Sequence, residues 1–428
     1  MKSIIGNLFS NEELQEIRSK FKYVDRDFEG TKRLFFDNAG GSLRLIRAEE
    51  EFKRVDEFPD ASEHSNKMAH YLKDIENRGK EDIKSVIFNA KDGVIYPGLT
   101  ASQIMMEVIR IISDNAKGTN YVTTILEHPS AFDAMTYYSN KHGCELRVAG
   151  VSAVTGGVDV ETITSLIDSN TAILCCMAAS NISGYIFDIE KIFKRAQEIN
   201  PDIYIVCDTV QHAPHGVLDP EMLGIDAMNI APYKFFGVRG LGIAYLSNRI
   251  ASFEHNRILE KAADCWEVGS PSPAHYAAIT EVVNYVTDLG SKIANGESSR
   301  RRLFELGMKR IADHERVLLN IMLEGTENVA GLRHMKGLTV KMDGQDLNAR
   351  DIILGIEFDN MSCEQGVAEL EKRNVVTFER STTCIYSKRM VEAFHSNGVI
   401  RISPLHVNTP EEMEEFLKIA QEVANLQN

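Results

Sequence analysis

The short apolar run 203–207 stops abruptly at Asp208, and Gln211 follows one turn later. Such a run reads as a buried strand that delivers a carboxylate at its C-terminal end, where open α/β sheets keep their ligands. A second run, 227–230, leads through Ala231, Pro232 and Tyr233 to Lys234, after which Gly237, Gly240 and Gly242 mark a tight return into residues 243–246. Lys234 is therefore expected in a turn between two strands. A strand-end acid and a lysine in a glycine-rich turn suit pyridoxal phosphate. The lysine would hold the aldehyde as a Schiff base, the acid would keep the pyridine nitrogen protonated, and Gln211 would hydrogen-bond the ring's phenolate oxygen.

Other polar residues stand at comparable places. Residues 34–36 read as a strand that breaks into Asp37, Asn38 and a glycine turn. Residues 94–98 precede Thr100, Ala101 and an apolar helix over 102–112, and a helix N-terminus after a glycine turn makes an anion site. A strand over 121–126 ends at Glu127 and His128, and Ser130 is expected to start a helix that Gly143 ends. A buried strand over 171–177 leads to Asn181, and a helix over 188–199 feeds the Asp208 strand. Strand and helix alternate over residues 90–250, which predicts a mostly parallel sheet with right-handed crossovers. Further on come helices over 273–289 and 298–323, strands over 338–342, 351–358 and 375–378, and a helix over 363–372. Arg401 follows in Val399-Ile400-Arg401-Ile402-Ser403, and Thr409 caps a final helix.

The series resembles the signature of the class V aminotransferase group of fold-type I pyridoxal phosphate enzymes, which includes cysteine desulfurases, selenocysteine lyases, kynureninase and isopenicillin epimerase. Residues 36–40 are similar to that family's Leu-Asp-Asn-Ala-Ala segment, and residues 98–101 to its Gly-Thr-Thr loop. Glu127-His128, Ser180-Asn181 with Gly184, residues 267–271 and residues 399–412 match further motifs in the family's order. The resemblance implies a large domain with a mostly parallel seven-stranded sheet between helices, plus a small α+β C-terminal domain. The expected boundaries are an N-terminal helix within 1–25 that packs on the small domain, a cofactor domain over 26–290 and the small domain over 291–428.

It also implies roles. Thr100, Ala101 and Tyr233 would hold the cofactor phosphate, together with Ser270 reaching into the other subunit of a homodimer. His128 would stack on the pyridine ring and move protons, and Asn181 would reach the phenolate oxygen. Asn38 would line the substrate side, and Arg401 would fork onto the substrate carboxylate, as a planar bidentate donor suits. Cys384 falls near the place of the desulfurase nucleophile, with Arg380 beside it.

Two departures matter. The family's Ser-x-His-Lys run reads Ala231-Pro232-Tyr233-Lys234 here, so a phosphate-binding hydroxyl is missing. The Arg-x-Gly-His-His-Cys loop reads Arg380-Ser381-Thr382-Thr383-Cys384, without its histidines and with the arginine displaced. With Cys384 as nucleophile the enzyme would be a cysteine desulfurase, whose partner would be a sulfur-acceptor protein; without it, the same carbanion would give a C–S β-lyase. An aminotransferase or an epimerase is the alternative, and an inactive binding homologue a remote one.

Composition narrows the rest. The 428 residues carry 47 basic and 62 acidic side chains, a net charge of −15, which argues against nucleic acid or an anionic membrane as partner. No apolar stretch approaches a membrane span, and residues 1–14 lack a signal peptide's apolar core, so a cytoplasmic location is expected. The seven cysteines are scattered, which suits reduced thiols. His212 and His215 have no further ligand cluster near them in sequence, so no metal is expected.

Overall fold

A computed structural model describes residues 6–426; the first five residues, part of the segment read for a signal peptide, and the last two lie outside the described residues. The central sheet has seven strands: β1 (Val94–Gly98), β2 (Asn120–Thr124), β3 (Glu145–Ala149), β4 (Thr171–Met177), β5 (Tyr204–Asp208), β6 (Ala227–Ile230) and β7 (Gly242–Leu246). Their order is β1-β7-β6-β5-β4-β2-β3, and β7 alone runs antiparallel to its neighbours. All seven residues of β4 are buried, as a strand covered by helices on both faces requires. The parallel strands share one direction, so their C-terminal ends open on one edge, and the loops that leave β2, β4 and β5 carry His128, Asn181 and Asp208.

A second sheet is antiparallel: β8 (Leu338–Lys341), β9 (Leu354–Phe358), β10 (Phe378–Ser381) and β11 (Gly398–Ile402), in the order β10-β11-β9-β8. Its apolar face has its own core, with Ile356, Ile400, Ile402, Phe416 and Leu417 all buried. Leu34 and Phe35 pair in parallel with Val375 and Val376, so the Asp37 loop lies against this second sheet. Ser403 and Asp37 form a further bridge.

Helix α1 (Asn11–Ser19) begins with the capping box of Ser10 and Glu13. Arg18 reaches Val407 O and Glu412 at 2.9 Å each, while Glu13 pairs with Arg310 at 2.7 Å. Its apolar face, Leu14, Ile17 and nearby Phe21, joins the main core, where Phe21 meets Phe236 and Tyr285 edge to face. Helices Ile46–Asp56 and Lys67–Glu81, which the sequence reading passed over, pack on Pro273–Ser291. The 25-residue helix Arg300–Glu324 crosses Pro273–Ser291 closely, and a Cβ at Gly307 would collide with the carbonyl of Val286.

Several boundaries differ from expectation. The strand read over 351–358 begins at Leu354, because Asp351 is drawn away to donate its amide to Gly184 O. The strand read over 121–126 ends at Thr124, whose hydroxyl turns the chain by accepting from Leu126 N and donating to Glu127. The helix expected to start at Ser130 is capped instead by His128, with Pro129 as its first residue, and it ends on left-handed Gly143 as expected.

Candidate active site

Helix α2 (Ala101–Asn115) starts beside β7. A Cβ at Gly242 would collide with the backbone of Thr100 and Ala101, so only glycine lets the strand approach the helix end. Thr100 is the N-cap and accepts from Gln103 N at 3.0 Å. The first-turn N–H groups of Ala101 and Ser102 have no acceptor within the helix. They border a cavity of ≈ 300 Å³ together with Tyr233 and Lys234. At the strand ends Asp208, Gln211, Asn181 and His128 border the same cavity. Eight of the residues singled out from the sequence are thus brought together, from five different strand ends and turns.

Lys234 ends a 3₁₀ turn, Pro232–Lys234, between β6 and β7. Its Nζ lies 3.5 Å from Gln211 Oε1. Burial lowers its pKa to about 8, reinforced by Arg401 and opposed by Asp208. An ordinary lysine is neutral in about one molecule in a thousand at pH 7.5. Lys234 is neutral in about a quarter of molecules at that pH. The capture of an aldehyde by the cofactor-free protein is therefore expected to speed up with pH and level off above about 8, because only the free amine attacks. Stopped-flow absorbance across pH 6–10 would check this, and a rate still climbing toward pH 10 would rule out the lowered pKa.

Burial pushes the Asp208 carboxyl up, while its hydrogen bond from Val210 N at 3.0 Å and the charge of Lys234 act the other way. Beneath it lies Glu127, fully buried, its Oε1 accepting from Thr124 Oγ1 and Met177 N and its Oε2 without a partner. Burial pushes Glu127 up to about 8. His128 is pushed down to about 4, first by burial and then by Lys234, so its ring is neutral near pH 7. Its Nδ1 lies 2.7 Å from Ser130 Oγ, and the ring stacks with Tyr386 at 6.1 Å between centroids.

Arg401 on β11 is buried beside this cavity. Its Nη2 pairs with Asp37 at 2.6 Å and its Nη1 donates to Asn181 O at 3.2 Å, while Nε has no partner. Arg380 on β10 shares the Phe378 ring with it, donates to Tyr386 O at 2.8 Å, and is lowered to about 10 by burial and by Arg401. Cys384 is half-buried on the loop that follows. That loop is fastened across the strand ends twice, by Tyr386 on His128 and by Arg389, which donates to the carbonyls of Ile125 and Glu127.

Arg401, Arg380 and Cys384 do not border the cavity itself, and two further candidates sit elsewhere. Asn38 does not border the cavity: its amide donates to Phe35 O and Ser403 O and accepts from Leu43 N, so it holds the loop while Asp37 faces Arg401. Ser270 is exposed on the segment before Pro273–Ser291 and does not border the cavity either. Conversely, Asn229 and Arg239 border it and were not singled out from the sequence. A larger cavity of ≈ 470 Å³ shares no lining residue with it. There His212 pairs with Asp351 at 3.0 Å and His215 with Glu315 at 2.7 Å, each histidine facing its own carboxylate.

The residues fit pyridoxal phosphate. Asn181 Oδ1 and Asn229 Oδ1 are buried without partners, and a buried polar atom left so marks a missing ligand or water. Asp208 would face the ring nitrogen, Lys234 the aldehyde, and the start of α2 the phosphate.

The family profile of aminotransferase class-V matches residues 34–416. A Mycobacterium leprae (strain TN) protein described as "Probable cysteine desulfurase 2" is 24% identical over 377 residues, which covers 83% of this chain and 87% of that one. "Probable cysteine desulfurase" of Borreliella burgdorferi is 22% identical over 434 residues, covering 95% of each. Among solved structures, the apo cysteine desulfurase of Thermococcus onnurineus NA1 superposes with a TM-score of 0.80 at 17% identity, over 98% of this chain and 99% of that one. The cysteine desulfurase CsdA of Escherichia coli does so with a TM-score of 0.79 at 16% identity, over 99% and 100%. These likenesses show a fold-type I architecture, and the profile covers most of the chain. The protein therefore belongs to the class V aminotransferase family, whose enzymes work with pyridoxal 5′-phosphate.

Proposed function

We propose that the protein is a cysteine desulfurase-like enzyme that removes sulfur from L-cysteine or a close analogue, with a C–S β-lyase as the second reading. The observation that carries sulfur transfer is the double fastening of the Cys384 loop across the His128 strand end, by Tyr386 and Arg389. Such a fastening ties the segment that bears Cys384 to the strand end that carries His128, a residue of the Lys234 cavity. The second reading is favoured by Thr382 and Thr383, which stand where desulfurases carry histidines.

Bound in the cavity, pyridoxal phosphate supplies an electron sink that makes the substrate's α-proton removable. Asp208 holds a proton toward the ring nitrogen, and Asn181 and Gln211 orient the ring edge. Lys234 takes the α-proton and returns it, a shuttle that its lowered pKa suits. His128, neutral near pH 7, would pack on the ring and accept or donate a hydrogen bond without adding charge. Arg401 takes the substrate carboxylate in place of Asp37, its current partner. Cys384, as thiolate, would attack the substrate sulfur: the S–S bond forms, the Cβ–S bond breaks with its electron pair passing to Cβ, and the proton returned by Lys234 with a second one from solvent completes alanine.

Arg401→Ala is expected to raise KM for the amino acid about 10- to 100-fold, the loss of a charged hydrogen bond, with a smaller change in kcat. Steady-state kinetics would check it, and an unchanged KM would remove Arg401 from the carboxylate site.

A homodimer is supported by the exposed apolar side chains Ile258, Leu259 and Val268, which share a segment with Ser270. The seven free thiols support a reducing, cytoplasmic setting, and a sulfur-acceptor protein follows only if a persulfide forms on Cys384. No helix among the described residues is long and apolar enough to cross a membrane. The test of the function is product analysis with L-cysteine. Alanine with persulfide on Cys384 supports the desulfurase, pyruvate with ammonia the lyase, and neither product would sink both.

A further inference from the structure

The chain lacks the serine that its family places before the cofactor lysine, and Ala231 lines the cavity where that hydroxyl would be. A phosphate dianion held only by amide groups and two hydroxyls would leave its charge poorly matched. The structure offers a replacement on the other side of the lysine turn. Arg239 borders the cavity alongside Thr100, Ala101 and Tyr233. Its guanidinium carbon lies over the Tyr233 ring, 4.2 Å from the centroid. The backbone of Gly41 closes in from above, since a Cβ there would stand 3.1 Å from Arg239 Nη2 and 3.5 Å from the Tyr233 ring.

Arg239 is an exposed residue of the loop between Lys234 and β7, and its guanidinium is uncommitted apart from the Tyr233 ring. No carboxylate pairs with Arg239 among the described residues. The charged group felt nearby is instead another cation: Arg44, whose pKa is lowered by burial and then by Arg239. Arg44 is committed to the carbonyls of Ser42 and Tyr233, both at 2.6 Å, and so holds the backbone of the lysine turn. An uncommitted guanidinium bordering a cavity that also receives a helix N-terminus is a ready partner for an anion.

We infer that Arg239 binds the cofactor phosphate and takes over the charge-matching part of the missing serine's work. This rests on the reading of the cavity as a pyridoxal phosphate site, which it deepens by assigning the phosphate contact. Arg239 reaches the phosphate with its fork while Tyr233 contributes its hydroxyl, and the stacking of one on the other ties the two contacts together.

The test compares pyridoxal phosphate with pyridoxal, which lacks the phosphate, by equilibrium titration of the cofactor-free protein. Arg239→Ala is expected to weaken pyridoxal phosphate binding about 10- to 100-fold and to leave pyridoxal binding unchanged. Arg239→Lys should lose less than the alanine variant. Ala231→Ser should restore part of the affinity in the Arg239→Ala background and do little in the wild type, a non-additive pair. Equal weakening of both ligands, or of neither, would overturn the inference. Should the alanine variant not fold, the lysine variant decides by the same ratio. Wild-type protein that takes up neither compound would sink the cofactor reading, and this inference with it.

Discussion

Lys234→Ala is expected to lose turnover by at least about 10²- to 10⁴-fold, the share that a positioned proton-transfer group alone contributes. The structure makes the effect specific to the amine. Lys234 is the last residue of a 3₁₀ turn, and the chain behind it is held by Ser42 and Arg44 on the carbonyl of Tyr233 and by Phe236, whose φ of 62° sets the exit toward β7. These contacts use the backbone and do not involve Nζ, so truncation at Cβ leaves the turn in place. The amine itself touches only Gln211, at 3.5 Å. Loss of a buried group held below its usual pKa also removes an unfavourable charge, so the variant is expected to be no less stable than the wild type. The measurement is turnover together with thermal denaturation. Unchanged turnover would remove Lys234 from the chemistry, and loss of activity with a collapsed melting temperature would trace the defect to folding.

The residues that the sequence marked best are those where an apolar run stops at a polar side chain. Asp208 ends β5 and Lys234 follows β6, and each run is short, continuous and bounded, so its end can be read without knowing its neighbours. The same holds for His128 after β2 and Asn181 after β4. What escaped depends on which strands lie side by side. Asn229 sits inside the four-residue run Ala227–Ile230, and it reaches the cavity because β6 pairs with β5 in the register Asp208 to Asn229. Local pattern carries no trace of that pairing. Arg239 stands in a glycine-rich loop where an arginine gives no signal of its own, and the turn from Lys234 into β7 brings it to the cavity beside Thr100. Asp37 and Asn38 are neighbours of similar polarity, and which one faces Arg401 was decided by Ser403 and Leu43, which take up the amide of Asn38. The cap at His128 was missed for a local reason: Pro129 fits the first helical position, which shifts the helix start one residue earlier than Ser130 suggests.

Cys384→Ser separates the two sulfur chemistries. The change keeps size and replaces a soft nucleophile with a hydroxyl that does not attack divalent sulfur, so persulfide formation and alanine release are expected to vanish while uptake of the cofactor persists. Pyruvate release, which needs only the α-proton shuttle of Lys234 and departure of the sulfur, should survive. The loop has the attributes such a thiol needs. Cys384 is half-buried, and Arg380 stands close enough that its charge is influenced by the thiol. Four of the six other cysteines are poorer candidates: burial pushes the Cys175, Cys176 and Cys207 thiols well up, and Cys363 up to about 12, so none of these four is a ready thiolate near pH 7. Thr382 and Thr383 cannot carry protons as histidines do, so the leaving of the persulfide and the protonation of alanine fall to Lys234 and solvent. Slow alanine release with full sensitivity to Cys384→Ser is therefore the expected pattern. Alanine formed equally by the serine variant would exclude Cys384 as the sulfur carrier, and pyruvate as the sole product of both proteins would assign the site to β-elimination.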